Sequence, residues 1–206
     1  QTENILRKTV KDRVYEAQSI ASHLHDVYSA SKPPGEVQKM IKDALRRLRF
    51  NDDRGYYFIF NLSGIEELFA DRPEWEGRNM LPLQGAKGEY VVRDMIDLVR
   101  HQGEGFYDYT WTKPGQEENS FKKTAFVKLF PAYNWVIGTG EYVDNVRDDL
   151  QQQVLERLVS LRFGRGGYYF GSIAGGEPLF TGGKITRGTA SIRDLTDVQG
   201  VKLVQE

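Results

Sequence analysis

Apolar side chains recur at steps of mostly four and three residues along the first part of the chain. This spacing is typical of a long amphipathic helix with a heptad-like seam. The seam consists of Leu6, Val10, Val14, Ala17, Ala21, Leu24 and Tyr28. Ile20 and Val27 widen it, so it can pack on a sheet, on a partner helix, or on both. The segment SKPPG (31–35) ends this helix because proline cannot continue it, and a second amphipathic helix follows.

The hydrophobic period changes to two after residue 54, which is the period of a β-strand. GYYFIFNL (55–62) is rich in aromatic residues, and a turn connects it to a hairpin partner, IEELFA (65–70). Helical spacing returns in EYVVRDMIDLVRH (89–101). Further strands are predicted in GFYDYTW (105–111), FKKTAFVKLF (121–130) and NWVIGTGEYV (134–143). The pattern therefore predicts an α+β fold, with a helical stem followed by an antiparallel sheet of about five strands.

The sequence also repeats itself. LRFNDDRGYYF, beginning at Leu48, returns as LRFGRGGYYF at Leu161, and Gly64 answers to Gly176 at an offset of 112 residues. A sustained offset predicts two copies of one module. The second copy stops before its last three strands, and either a truncation of the module or a continuation outside this chain explains that. The expected organisation is a helical stem at 1–47, a first module at 48–145, and a connecting helix with a partial second module at 146–206.

Composition narrows the classes of function. The chain has 206 residues and a net charge of −1, and it has no basic cluster interleaved with aromatic residues, so nucleic-acid binding is not expected. It contains no cysteine, which excludes disulfides, thiolate catalysis and cysteine-based metal sites and fits an extracytoplasmic bacterial segment. No apolar run reaches the roughly 18–20 residues that span a bilayer. The abrupt ends are typical of a piece of a longer protein.

Candidate catalytic and metal-binding residues are scarce. His23 and His25 are two residues apart, so they do not share a helical face as metal ligands at i and i+4 would. His101 stands at the end of a predicted helix, and the adjacent Glu66 and Glu67 are interpreted as solvated. We therefore predict no enzyme, no metal site and no cofactor.

One lysine interrupts an apolar strand face. Alternation in FKKTAFVKLF collects, on one side, Phe121, Lys123, Ala125, Val127 and Leu129. An unpaired buried ammonium costs several kcal/mol, so Lys123 needs a partner or a route to water. Three interpretations stay open: an internal pair with Asp108, an edge strand from which the lysine reaches solvent, or a pocket that binds an anionic ligand.

Two further segments have both a structural and a functional interpretation. Tyr107, Tyr109 and Trp111 share one face of a strand, where they form a core ladder or orient a small polar ligand with their hydrogen-bonding tips. The loop ADRPEWEGRN (70–79) is a solvated connection, or a lid in which Arg72 holds a carboxylate through a bidentate fork.

Taken together, several segments resemble a Cache domain of the second type. They are RFNDDRGYYFIFNLSG, GRNM, GFYDYTWTKPG and KTAFVKLFPAYNWVIGTGEYVDN. The resemblance covers roughly 48–145 strongly and 161–206 in part. With the repeat, the chain is similar to a double-Cache sensor. The resemblance implies a PAS-like antiparallel sheet on a long N-terminal helix, in the periplasmic part of a membrane-tethered bacterial chemoreceptor, sensor histidine kinase or cyclic-dinucleotide signalling enzyme. Ligands of similar domains are often small carboxylates, such as acetate, propionate, pyruvate or lactate.

The resemblance also implies a ligand site. Lys123 falls on the strand lysine that lines the pocket in similar domains, and Arg49, Tyr57 and Phe58 match the family's strand segment. We expect a small organic anion whose carboxylate is neutralised by Lys123 and Arg72. The expected ligand-binding residues are Lys123, Arg72, Tyr57, Tyr109, Trp111, Trp75, Phe126 and Arg49.

One departure from the family affects the expected ligand. Similar domains commonly have His-Pro after the hairpin, where this chain has Arg72 and Pro73. The added charge favours a dianion or a bulkier acid, or the arginine fills the pocket itself. The second copy lacks the equivalents of Pro73 and Trp75, so ligand binding is expected in the first module. We also expect a homodimer through the seam at 6–28, and the alternative function is a ligand-free dimerisation module that answers to a periplasmic partner protein.

Overall fold

The computed structural model of the chain describes residues 2–113, 116–174 and 176–187. Its contacts group into two compact units, residues 1–146 and residues 147–206. The helices are α1 (Thr2–Tyr28), α2 (Pro34–Arg46), α3 (Val91–Gln102) and α4 (Val143–Ser160). The strands of the first unit are β1 (Phe58–Asn61), β2 (Glu66–Phe69), β3 (Glu104–Lys113), β4 (Gln116–Phe130) and β5 (Trp135–Tyr142). None of the helices in the described ranges has the length and apolar character needed to cross a bilayer.

The strands of the first unit form one antiparallel sheet in the order β2–β1–β5–β4–β3. Helix α1 packs against β4 and β5, and α2 packs against α1 and β2. This arrangement confirms the predicted α+β fold of a long N-terminal helix on an antiparallel sheet. The observed ends of the elements differ from the predicted ones by a few residues, because ladder and helix hydrogen bonds, rather than the apolar pattern, set the ends.

One side of α1 is buried in the core. The buried positions, each at most 1% exposed, are Leu6, Val10, Val14, Ala17 and Ala21. They belong to apolar clusters that also contain Phe126 of β4 and Ile137 of β5. The expectation that this seam forms a homodimer contact is therefore corrected, because the seam is already covered by the protein's own sheet and by α2. The exposed apolar residues of α1 are Ile5, Tyr15 and Val27.

Side chains of the sheet alternate between two differently covered faces, as the period of two predicts. The face toward α1 and α2 carries Tyr57, Ile59, Phe130, Trp135 and Ile137. The opposite face, toward α3, carries Phe58, Phe60, Ala125, Val127 and Val136. Gly138 of β5 lies between Phe58 and Val127, and a Cβ at this glycine would come within 2.5 Å of the Phe58 ring. The absence of a side chain at Gly138 therefore leaves room for Phe58 of β1 and Val127 of β4 on either side of β5.

The second unit contains short strands. They are β6 (Arg162–Phe163), β7 (Gly167–Tyr168), β8 (Gly171–Ser172), β9 (Pro178–Thr181) and β10 (Lys184–Ile185). The bridge between Phe163 and Gly167 matches the bridge between Phe50 and Gly55 in the first unit. A short turn thus closes at corresponding places of the two sequence copies, with four residues between the bridged pair in the first and three in the second. The rest of the predicted second copy, residues 188–206, lies outside the described residues.

Candidate functional site

Lys123 lies in the interior of the sheet. It pairs with Tyr109 of β3 on one side and with Tyr142 of β5 on the other, so β4 is not an edge strand at this point. Only 3% of the residue is exposed. The interpretation in which the lysine reaches solvent from an edge is therefore wrong.

The Lys123 ammonium is surrounded by phenol groups. Its Nζ donates a hydrogen bond to the Tyr56 hydroxyl at 3.1 Å. The same nitrogen lies 5.1 Å from the centre of the Tyr56 ring and 4.9 Å from the centre of the Tyr142 ring, which are cation–π distances. Among the residues that the structure describes, no carboxylate lies at ion-pair distance from this nitrogen.

Asp108 does not serve as the internal partner of Lys123. One of its oxygens accepts a hydrogen bond from the Thr124 hydroxyl at 2.7 Å, and the other accepts one from Arg7 at 2.6 Å. Asp108 and Thr124 lie on the face of the sheet opposite to Lys123, because Thr124 directly follows Lys123 in β4 and adjacent side chains of a strand point to opposite faces. The interpretation of an Asp108–Lys123 pair is therefore wrong.

The charge state of the Lys123 ammonium follows from its surroundings. Burial lowers the pKa of Lys123, but the neighbouring Tyr109, Tyr142, Glu141 and Asp71 offset that effect, so the pKa lies above its ordinary value. Burial raises the pKa of Tyr142 to about 12 and that of Tyr109 further still. At neutral pH the site therefore holds a protonated ammonium among neutral phenols.

The two carboxylates near Lys123, those of Asp71 and Glu141, accept hydrogen bonds from other side chains. Asp71 accepts a hydrogen bond from Arg49 at 2.8 Å. Glu141 accepts hydrogen bonds from Asn51 at 2.9 Å and from Asn145 at 3.0 Å. An ammonium has three hydrogen-bond donors. Lys123 directs one of them to Tyr56 and also interacts with the Tyr109 hydroxyl, and a further donor is available to an anion that enters the site.

A cavity of about 420 Å³ opens beside Lys123. This volume lies in the range of small-molecule sites, roughly 300–1,000 Å³. Its lining combines aromatic rings with charged groups of both signs, from Asp53, Arg54, Tyr56, Phe69, Asp71, Arg72, Trp111, Thr112, Lys113, Gln116, Lys123, Gly140, Glu141, Tyr142 and Asn145. The cavity therefore gives a small polar molecule access to the buried ammonium.

A narrower apolar slot of about 40 Å³ adjoins this cavity under α3. The two spaces share Tyr56, Phe69, Trp111 and Lys123. The slot is otherwise lined by Phe58, Phe60, Glu66, Trp75, Met80, Leu83, Val91, Val92, Met95 and Tyr109. The site thus has a wide polar part and a narrow apolar part, with Lys123 in both linings.

The structure brings five of the expected ligand-binding residues together. Lys123, Tyr109 and Trp111 line the apolar slot. Trp75 also lines the slot and makes an edge contact with Trp111, with ring centres 6.4 Å apart. Arg72 lines the wide cavity, where its guanidinium lies 4.8 Å from the centre of the Trp75 ring.

The other three expected residues lie elsewhere. Arg49 lies behind the cavity wall, where it holds Asp71. Tyr57 points to the opposite face of the sheet, and its hydroxyl donates to the carbonyl oxygen of Arg13 in α1 at 3.0 Å. Phe126 lies on that face too, in the cluster formed with α1. The structure does not place Tyr57 and Phe126 at the site, because side chains alternate between the two faces of a strand. Tyr57 is the neighbour of Tyr56 and Phe126 lies three residues after Lys123, so each points away from the face that lines the site.

Sequence reasoning missed several residues of the site. Tyr56, Tyr142 and Asp71 were not among the expected ones. Alternation in β1 was a usable signal for Tyr56, since Tyr56 shares its face with Phe58 and not with Tyr57. No local signal marks Tyr142 or Asp71, because their position next to Lys123 depends on pairing between distant strands.

Glu66 also lies differently from its sequence interpretation. It was interpreted as solvated together with Glu67, but only 3% of it is exposed. A register irregularity in β1 places Glu66 opposite Phe60, on the face toward α3. Glu67 instead accepts hydrogen bonds from Asn61 and Lys42. The interpretation is therefore wrong for Glu66.

The fold and the cavity define a sensor domain with a PAS-like sheet. The family model dCache_2, described as a Cache domain, matches residues 1–206, and the chain belongs to this family. The resemblance found in the sequence is thereby confirmed. Cache sensor domains are non-catalytic ligand-binding modules.

Two curated proteins resemble the chain in sequence. The methyl-accepting chemotaxis protein McpP of Pseudomonas putida is 30% identical over 118 residues, which are 57% of this chain and 21% of that protein. The sensor histidine kinase MctS of Rhizobium johnstonii is 27% identical over 146 residues, which are 70% of this chain and 31% of that protein. The matched regions thus span less than a third of each of these relatives.

Solved structures of similar fold agree with the family. A Cache chemosensory domain whose structure explains carboxylic acid recognition superposes with a TM-score of 0.63 at 26% identity, covering 69% of this chain and 99% of that one. A methyl-accepting chemotaxis protein from Vibrio parahaemolyticus superposes with a TM-score of 0.60 at 28% identity, covering 69% of this chain and 92% of that one.

Proposed function

We propose that this domain binds a small organic anion, a short carboxylate, at Lys123. The observation that supports it best is a fully buried ammonium with phenol neighbours and no carboxylate partner among the described residues. Burying such a charge without a counter-ion costs several kcal/mol, and a ligand carboxylate supplies the missing counter-ion. The similar Cache domain that recognises carboxylic acids points in the same direction.

The side chains around Lys123 have different roles in the proposed binding. Tyr56 holds the ammonium in position, and Tyr109 offers a hydroxyl on the adjoining strand. Trp111 and Trp75 form an apolar wall for the carbon part of the ligand. Arg72 stands at the wide part of the cavity, where it can pair with a second anionic group. Arg49 acts indirectly by holding Asp71.

We further propose that the domain works on the periplasmic side of a bacterial membrane, as the sensing part of a transmembrane receptor. The support is the similarity to a chemotaxis receptor and to a sensor histidine kinase. Strand β4 connects the site to the stem, because Lys123 faces the cavity and Phe126, three residues on, packs against α1. A ligand that prefers one position of β4 shifts the population of α1 arrangements by its differential affinity for them.

The alternative of a ligand-free dimerisation module has less support. It requires an internal acid beside Lys123 and a pocket filled by side chains. Among the described residues, the acids nearest to Lys123 are Glu141 and Asp71, but neither makes an ion pair with the ammonium, which bonds to a phenol. A cavity of about 420 Å³ also lies next to it.

Thermal unfolding in the presence of short carboxylates tests the proposal. Millimolar acetate, propionate, pyruvate, lactate and succinate are compared on the wild type, on Lys123→Met and on the matched control Lys122→Met, with hits confirmed by calorimetry. Lys122 is exposed and points to the other face of β4. A carboxylate should raise the melting temperature of the wild type and of Lys122→Met by mass action, and not that of Lys123→Met.

Two results would contradict the proposal. A wild type that responds to no acid in the panel excludes the carboxylate function. An equal response of wild type and Lys123→Met excludes Lys123 as the anchor. Lys123→Met removes a buried charge together with its hydrogen bond to Tyr56, so its melting temperature without ligand is measured first, and calorimetry is done at a temperature at which both proteins are folded. A loss of binding then cannot be explained by unfolding.

A further inference from the structure

A second buried ionisable side chain lies in the apolar slot. Glu66 is 3% exposed and lines the slot beside Phe60, Trp75 and Met80. Its Oε1 is completely buried and has no hydrogen-bond partner. Native proteins pair the large majority of such buried polar atoms, so an unpaired one calls for an explanation.

The backbone fixes this carboxyl in place. The Glu66 N–H donates to the carbonyl oxygen of Arg78 at 3.0 Å, and the Gly77 N–H donates to the Glu66 carbonyl oxygen at 2.7 Å. The backbone of Glu66 is therefore held on both sides, on the strand face that points into the slot.

The charged groups around Glu66 favour its neutral form. Burial comes first, and Glu76 and Glu67 add negative charge, so that the pKa of Glu66 rises to about 9. The nearby cations are engaged: Arg46 binds Glu76 through both of its terminal nitrogens, and Lys42 binds Glu67.

The other walls of the slot carry one charged group, Lys123 of β4, beside Tyr109 and Trp111 of β3. From α3 the slot receives only Val91, Val92 and Met95. From the strand segment before β1 it receives the neutral phenol of Tyr56, whose pKa is raised above all by burial. A neutral carboxyl has one O–H donor and also accepts. Besides the Lys123 ammonium, the slot therefore offers an uncharged hydrogen-bond donor at Glu66.

We propose that Glu66 determines ligand specificity by donating its carboxyl hydrogen to an uncharged hydroxyl or carbonyl oxygen on the part of the ligand that enters the slot. This inference rests on the proposed function, in which Lys123 holds the carboxylate. The preferred ligand is then a short acid with an oxygen distant from its carboxylate, and a plain alkanoate of equal length binds less tightly. The slot limits the size of that end, because about 40 Å³ holds on the order of three water-sized groups.

Matched pairs of acids test the inference by calorimetry. Butyrate is compared with 4-hydroxybutyrate and pentanoate with 4-oxopentanoate, on the wild type, Glu66→Gln and Glu66→Leu. One satisfied buried hydrogen bond should give the wild type a preference of roughly tenfold for the oxygenated acid. Glu66→Leu should lose the preference and still bind the alkanoate, whereas Glu66→Gln should keep part of it through its amide donor.

The pH dependence of the preference for the oxygenated acid gives a second test. The preference of the wild type for 4-oxopentanoate over pentanoate should disappear between pH 7 and pH 10, because Glu66 loses the proton that a ketone oxygen can only accept, and that of Glu66→Gln should persist. The alkanoate is the control for other titrating groups. An unchanged preference in Glu66→Leu would overturn the inference while leaving Lys123 as the anchor.

Two further results have distinct meanings. Preferential binding of 4-aminobutyrate over butyrate by the wild type would overturn the inference in favour of an ionised Glu66 that binds an ammonium group. Binding of none of these acids to the wild type would overturn the proposed function, and this inference with it.

Discussion

The burial of Glu66 makes a prediction about stability that requires no ligand. Replacing it by glutamine keeps the shape of the side chain and removes its titration. The folded-state pKa of Glu66 is about 9, against an ordinary value of 4.5. The unfolded chain therefore releases this proton at lower pH than the folded protein does. The contribution of Glu66 to stability is fully present below pH 4.5 and is lost as pH rises toward 9.

The magnitude follows from the size of this window. Within it, the free energy of unfolding of the wild type falls by about 1.4 kcal/mol per pH unit relative to the glutamine variant. Between the ordinary value of 4.5 and pH 7 the difference reaches about 3 kcal/mol. We therefore expect Glu66→Gln to be more stable than the wild type by about 3 kcal/mol at pH 7 and nearly equal to it at pH 4.5.

Urea unfolding followed by tryptophan fluorescence measures this difference. The two proteins are compared at several pH values between 4.5 and 9, and all other titrating groups cancel because both proteins contain them. Glu67→Gln is the matched control, since Glu67 is already paired with Lys42. Its replacement should give a much smaller stabilisation that grows with pH, because it removes only one of the negative charges that raise the pKa of Glu66. A difference between wild type and Glu66→Gln that does not change with pH would refute the neutral carboxyl.

Three further predictions concern the framework of the site. Ile41→Ala empties a fully buried position of α2 and should cost about 2–5 kcal/mol in urea unfolding. Gly138→Ala places a Cβ 2.5 Å from the Phe58 ring and should lower the melting temperature by several degrees or prevent folding, as circular dichroism would show; an unchanged melting temperature contradicts the close packing. Glu76→Gln weakens the two-bond contact with Arg46 and should cost about 1 kcal/mol near neutral pH. The paired Glu76 has a lowered pKa, so that loss should vanish in acid, and a loss that persists there would contradict an ionic contact.

Lys123 and Glu66 are both buried in the site, but they affect the ligand-free domain differently. The unpaired oxygen of Glu66 lowers its stability, whereas nearby groups favour the protonated form of Lys123. A ligand that bonds to Glu66 recovers the free energy that its unpaired oxygen costs. The domain thus exchanges intrinsic stability for affinity, as sites built for binding commonly do.

Local pattern predicted much of the first unit. The steps of three and four in α1 and the alternation in β1, β4 and β5 are properties of neighbouring residues, so they can be identified without knowing what covers each element. The same alternation placed Lys123 on an otherwise apolar face. It also held the information that Tyr56, and not Tyr57, points to the site.

Other features depended on pairing between distant segments. The register irregularity between β1 and β2 turns Glu66 into the slot, and nothing in the adjacent pair Glu66–Glu67 signals which of the two is buried. The seam of α1 is equally suited to a helix or to a sheet, and the packing of β4 and β5 against it decided between them.

The sequence by itself determined the elements, their faces and the family, because these depend on periodicity and on short motifs. Only the tertiary structure decided what surrounds each buried charge. Asp108 and Lys123 lie on adjacent strands, yet Asp108 bonds to Thr124 and Lys123 to Tyr56. The physical reason is that adjacent strands fix which residues are opposite one another, while the face and the covering loop fix which side chains meet.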